Sequence, residues 1–217
     1  MAIAKGQSDI KSERNLVFLG FGEQIGVLKN AQFQKEIDLK AHLLDISSNS
    51  EIGKDERLTI EKPLIEELQN IEEQHIRIRR TVLIGLYSLW ELSLRAIKDM
   101  KSAKNADAYS VVSKSRQRSI AWNYLNAIYS GNIPLTALEI DDSVRILRNH
   151  FVHGDLSIDN LNHLKRFSEV HPDTNLRISN NSCYFSNYDG LLNLLNFISR
   201  ELNDAEQAVC NSANGSK

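Results

Sequence analysis

From Arg14 to Val209, apolar residues recur at steps of three and four, and only Pro63, Pro134 and Pro172 interrupt the chain. A period near 3.6 commits most of such a chain to helices that bury one stripe each. The clearest case runs from about Lys62 to Lys101. There Leu68, Ile71, Ile78, Val82, Leu86 and Leu89 keep the period once His75 is placed between Ile71 and Ile78. His75 is therefore expected as a packed core histidine. Pro63 suits the first turn of this helix, which at 1.5 Å per residue would be roughly 55 Å long. Its stripe is long enough to pair with another chain.

Shorter elements follow from local signals. Residues 14–46 carry Val17, Leu19, Ile25, Leu28, Phe33, Ile37, Ala41 and Leu44 at helical spacing, although Gly20, Gly22 and Gly26 weigh against an unbroken helix. The polar run 47–56 reads as a loop, and so do residues 102–115. A short helix holds Ile120, Ala121, Tyr124, Leu125 and Ile128 and ends at Gly131. Another follows Pro134, with Asp141 or Asp142 as its cap, Val144, Leu147 and Phe151 facing inward, and Gly154 closing it. A helix near 158–167, a hairpin turning at Asn180-Asn181 and a last helix from Tyr188 to Val209 complete the order. The expected architecture is mostly α: an antiparallel helical bundle with one long helix and a small β-hairpin. One domain is expected over 14–209, with 14–60 as a helical extension and 62–209 as the core. Disordered ends are expected at 1–13 and 210–217.

Bulk properties bound the function. The net charge is −2, so any nucleic-acid contact must come from a local patch. Such a patch is available from Arg95 to Arg118, where Lys98, Lys101, Lys104, Arg116 and Arg118 are the candidate RNA-backbone contacts. A solvated face is the plainer reading of that run. Cys183 and Cys210 have no metal-ligand spacing and no disulfide pattern, and no His motif asks for a metal. No Gly-rich phosphate loop and no nucleophile elbow occur, so no cofactor is expected. No apolar run spans a bilayer and the N-terminus lacks a signal-peptide core, so a cytoplasmic protein without membrane contact is expected.

The segment Arg145-Ile146-Leu147-Arg148-Asn149-His150-Phe151-Val152-His153-Gly154 carries the chemistry. A guanidinium holds a phosphodiester through paired hydrogen bonds and stabilises charge building on its oxygens. An imidazole moves protons near neutral pH. Together they suit cleavage of RNA by its own 2′-hydroxyl. Spacing alone is weak support: thirteen Arg and six His give about 0.4 R-x4-H pairs by chance, and the chain has three, Arg145/His150, Arg148/His153 and Arg166/His171.

Context separates them. Arg148-Asn149 followed by Val152-His153-Gly154 resembles the signature of the HEPN superfamily, whose ribonuclease branch carries R-x4-6-H, often with Asn after the Arg. The helix ending Leu86-Tyr87-Ser88-Leu89-Trp90-Glu91 is similar to that family's earlier, aromatic-rich helix with an acidic residue. The resemblance covers roughly Leu64 to Leu202 and leaves the N-terminal third unmatched. It implies a metal-independent endoribonuclease of a bacterial toxin or antiviral-defence locus, a homodimer with a composite cleft, and an antitoxin or other restraining partner. On this resemblance Arg148 clamps the phosphate, His153 is the acid/base and Asn149 orients the substrate. Glu91 is an auxiliary that holds Arg148, and His150 is a second auxiliary. Some toxin members carry Tyr two residues after the His; here the residue is Asp155, so nothing rests on that Tyr.

Two other readings stand beside this one. The same cleft can bind nucleotide or a protein partner without cutting, as a regulatory subunit. The long helix can also serve a scaffold. Plainer roles remain for single residues: Arg145 paired with Asp141 or Asp142, and Tyr87, Trp90 and Trp122 as core or interface anchors.

Overall fold

The computed structural model describes the backbone of residues 2–104, 119–154, 156–179 and 182–214, and the side chains of 14–101, 119–154, 156–179 and 182–211. Two long antiparallel helices, α1 (Ala2–Ser48) and α2 (Lys54–Lys104), form its spine. Helix α1 begins ahead of the Arg14 boundary expected from the sequence and runs unbroken through its three glycines. Packing explains that continuity, since most helical stability comes from a buried face. Phe18 and Ile25 are buried. A methyl group on Gly22 would stand 3.5 Å from Leu195, an ordinary contact, so the last helix packs beside this point without requiring the glycine. Of the apolar residues expected to form one stripe on α1, only Ile25 is buried and Leu28 half-buried, whereas Val17, Leu19, Phe33, Ile37 and Leu44 are exposed. That pattern is two faces, not one.

Helix α2 begins at Lys54 and not at the Pro63 boundary, and Pro63 lies inside it. The expected 47–56 loop shrinks to residues 49–53. Proline removes one backbone hydrogen bond and clashes one turn back. Here Thr59 and Pro63 are both exposed, so water can satisfy the freed carbonyl. At 51 residues α2 would be about 76 Å long. Of its expected stripe, Ile71 and Leu86 are buried and Leu68, Ile78, Val82 and Leu89 half-buried, while Leu83, Trp90, Leu94 and Ile97 form the deeper contact with the rest of the chain.

The rest of the body wraps the C-terminal half of α2. It consists of α3 (Ile120–Ile128), α4 (Leu135–His153), α5 (Ile158–Val170), a 3-10 turn (Pro172–Thr174), strands β1 (Leu176–Ser179) and β2 (Ser182–Phe185), and α6 (Tyr188–Asn214). Ser119 caps α3, its Oγ accepting from the Trp122 N–H at 2.8 Å. Lys101 closes the other end, donating to the Ala127 and Ile128 carbonyls at 2.8 and 2.7 Å. The strands are antiparallel with Ser179 opposite Ser182, leaving positions 180 and 181 for the expected turn, outside the described residues. Helix α6 buries Leu191, Leu194, Ile198, Leu202 and Ala205 along one stripe. Gly190 is required in its first turn, because a Cβ there would stand 1.8 Å from the Thr174 carbonyl oxygen.

The expected mostly-α architecture with a small hairpin is what the structure shows. The expected loop at 102–115 starts later, since α2 continues to Lys104, and residues 105–118 lie outside the described residues. The C-terminal segment expected as tail is helical to Asn214, and 215–217 lie outside the described residues.

Candidate active site on helix α4

Helix α4 ends as its residues dictate. Gly154 takes φ +79°, open to glycine at no steric cost. Its N–H donates to the His150 carbonyl at 2.8 Å. The N-terminal expectation is corrected. Pro134, not Asp141 or Asp142, precedes the helix, and both aspartates lie inside it. Starting at Leu135 lets the helix bury Ala137 and Ile140 as well as Val144 and Leu147. That gain outweighs the cap an aspartate would offer.

The outward face carries the candidate residues. Arg148 is half-exposed and donates from Nη1 to Asn149 Oδ1 at 2.9 Å. His153 is exposed. Five residues of helix separate Arg148 and His153 by about 140° and about 7.5 Å of rise. Asn149 and the exposed Val152 lie between them on that face. Arg145 lies one turn earlier and pairs with Asp142 at 2.8 Å, the structural role weighed for it above. Asp155 lies outside the described residues.

The auxiliaries are placed differently. Among the described residues no hydrogen bond or ion pair joins Glu91 to Arg148; Glu91 instead lies beside the Tyr87 hydroxyl. Burial first, and then that carboxylate, push the Tyr87 hydroxyl well above its ordinary range. His150 points inward and is only 8% exposed, beside the Phe151 ring at 5.7 Å between centroids. Burial, reinforced by the Arg80 guanidinium, lowers its pKa, so the ring is neutral at pH 7. Its Nδ1 and the Arg80 Nε are both buried without a partner, and Arg80 lies over Phe151 at 5.4 Å. His150 therefore shares no surface with Arg148 and His153. The third R-x4-H pair is split as well. His171 sits between the Phe167 and Phe197 rings, each at 4.8 Å, and faces Glu139 at 3.7 Å.

One polar site was not foreseen. Asp141 is 2% exposed and accepts from Trp90 Nε1 at 3.2 Å and from Ser119 Oγ at 2.6 Å. Burial raises its pKa despite these donors. The available signal was that Asp141 falls on the apolar stripe, three residues before Val144. These two bonds tie α2, the start of α3 and α4 together.

The basic stretch is only partly described. Lys101 is occupied by α3's carbonyls. Lys98 lies 2.6 Å from Asp99 and over the Tyr124 ring at 5.9 Å. The side chain of Lys104 and all of Arg116 and Arg118 lie outside the described residues. No group of three or more His, Cys, Asp or Glu among the described residues is placed to hold a metal. No described helix is long and apolar enough to cross a membrane.

No protein-family model, no curated protein and no solved structure matches this chain.

Proposed function

We propose that this chain is a HEPN-type endoribonuclease that cleaves RNA without a metal, with Arg148, Asn149 and His153 as its working face. One observation carries the reading: Arg148, Asn149 and His153 share the outward side of α4, while His150 turns inward. Arg148 binds the non-bridging oxygens of a phosphodiester, and Asn149 fixes the guanidinium plane. A base takes the proton of the RNA 2′-hydroxyl, and its oxygen attacks phosphorus. The P–O5′ bond breaks, an acid protonates O5′, and a 2′,3′-cyclic phosphate remains. One imidazole cannot be base and acid in the same step. A second copy laid with its α4 across this one supplies the other, giving the composite cleft of such dimers. As in toxin and defence effectors of that family, a partner protein would restrain the activity.

The test is incubation of the purified chain with mixed RNA in EDTA. Wild type yields 2′,3′-cyclic phosphate ends, while Arg148→Ala and His153→Ala fold normally and lose about 100-fold or more in rate. Cleavage by His153→Ala at the wild-type rate sinks the assignment.

The lone imidazole on the outward face of α4 favours a second reading, in which the face holds a nucleotide or phosphorylated partner without cutting. Nucleotide-dependent thermal stabilisation, lost in Arg148→Ala and unaccompanied by RNA fragments, marks that case.

A further inference from the structure

Helix α1 has a second seam that no described residue covers. Positions 16, 19, 23, 26, 30, 33, 37, 40 and 44 alternate steps of three and four, the repeat of a coiled-coil contact line. They are Leu16, Leu19, Glu23, Gly26, Asn30, Phe33, Ile37, Lys40 and Leu44. The five large apolar members, Leu16, Leu19, Phe33, Ile37 and Leu44, are 65, 64, 63, 42 and 67% exposed. The face that packs on α2 and α6 is a different one, holding Phe18, Ile25 and Ile46.

We infer that this seam pairs antiparallel with the same seam of a second copy, about a two-fold axis between Ala31 and Gln32. In that register each position meets the one that completes a sum of 63. Leu19 then faces Leu44, and Asn30 faces Phe33. Ile37 faces Gly26, where a Cβ would meet nothing within 4 Å, so the bulky side chain finds open space. The charged members are matched too: Glu23 faces Lys40. Glu23 is exposed and makes no ion pair among the described residues. Among the described residues Lys40 is held only by the exposed i,i+4 contact to Glu36 at 3.0 Å, which is readily exchanged.

Long-range charge favours the same orientation. Residues 30–73 hold eleven Asp/Glu against five Lys/Arg, net −6, in a chain whose total is −2, so the remainder carries +4. Antiparallel pairing lays each acidic end along the partner's residues 15–30, where Glu23 and Lys29 balance, instead of along the other acidic end. The five apolar side chains remove on the order of 500 Å² per copy, so two copies with their flanks reach the range of a stable interface, about 1,200 Å² in total. A self-complementary patch with its own two-fold closes as a dimer. This contact is independent of the α4 reading and uses a different helix.

Charge reversal tests the register on exposed positions that leave the monomer fold alone. Sedimentation velocity of the full chain across a concentration series is the readout. Wild type dimerises; Glu23→Lys and Lys40→Glu each weaken the dimer about tenfold or more by opposing like charges. The double variant E23K/K40E restores it, and Ile37→Asp weakens the α1 contact at least as much with unchanged helicity. A wild-type chain that stays monomeric at tens of micromolar overturns the proposal. So does a dimer that ignores both single reversals, which would place the contact elsewhere, such as on α4. RNA cleavage at the wild-type rate by Ile37→Asp, whose α4 face is untouched and can still pair, leaves the nuclease reading standing, so the two can fail separately.

Discussion

The same two helices, α1 and α2, meet two different environments along their length. In the body, α2 is covered by α1, α3, α4 and α6, and Leu83, Leu86, Trp90 and Leu94 have no exposed surface. Towards the turn at 49–53, α1 and α2 have only each other among the described residues. A helical hairpin can bury one stripe per helix, and this one buries Ile46 and Ile71 while Leu58 and Ile65 stay exposed. Polar groups close the junction. Arg79, 1% exposed, bonds Glu72 at 2.6 Å and Gln32 at 3.1 Å and lies over Tyr188 at 5.4 Å. Tyr188 in turn bonds His75 Nδ1 at 2.7 Å. His75, expected as a packed core histidine, is half-buried and held by this hydrogen bond. Periodicity alone does not tell a deep stripe from a shallow one; the number of layers stacked on it does.

That contrast breaks if equal truncations cost the same in both places. Trp90→Ala should cost about 3–5 kcal/mol, since it empties a fully buried site and strips Asp141 of a donor. Leu58→Ala, at 58% exposure, should stay within about 0.5 kcal/mol. Urea titration of both variants decides it.

At the junction, Arg79→Ala should cost about 1–2 kcal/mol. Breaking a buried ion pair usually costs more, but the Glu72 side chain is 42% exposed and water re-solvates it. A loss above 4 kcal/mol would mean that the arm and body are one cooperative layer after all.

The smallest expected effect is on pH dependence. Burial lowers the pKa of both His150 and His75 below the ordinary 6.5. The folded form then binds fewer protons than the unfolded one, so stability is full above pH 6.5 and falls as pH drops towards the lowered values. Replacing His150 with Phe should flatten part of that slope. His75→Gln should flatten the other part. Thermal melts from pH 8 to pH 5 that keep the wild-type slope in both variants would remove this account.

Much of the fold could be read directly from residue spacing and local signals. Helix periods, the Gly131 and Gly154 ends and the hairpin between Arg177 and Tyr184 are local, because backbone geometry and one-sided burial act within a few residues. The Arg148-Asn149 and His153 candidates also needed only the linear segment. Other features belong to the tertiary structure. Asp141 looked like a cap and became a buried acceptor, because Trp90 and Ser119 arrive from 51 and 22 residues away. His150 turned inward because Val144 and Leu147 claim that side of α4 for the core. Lys101, a free cation by sequence, was claimed by α3's carbonyls. The exposed seam of α1 was hidden among apolar positions that looked like one stripe. Spacing tells which residues share a face, but only the neighbours stacked on that face decide whether it is core or contact surface.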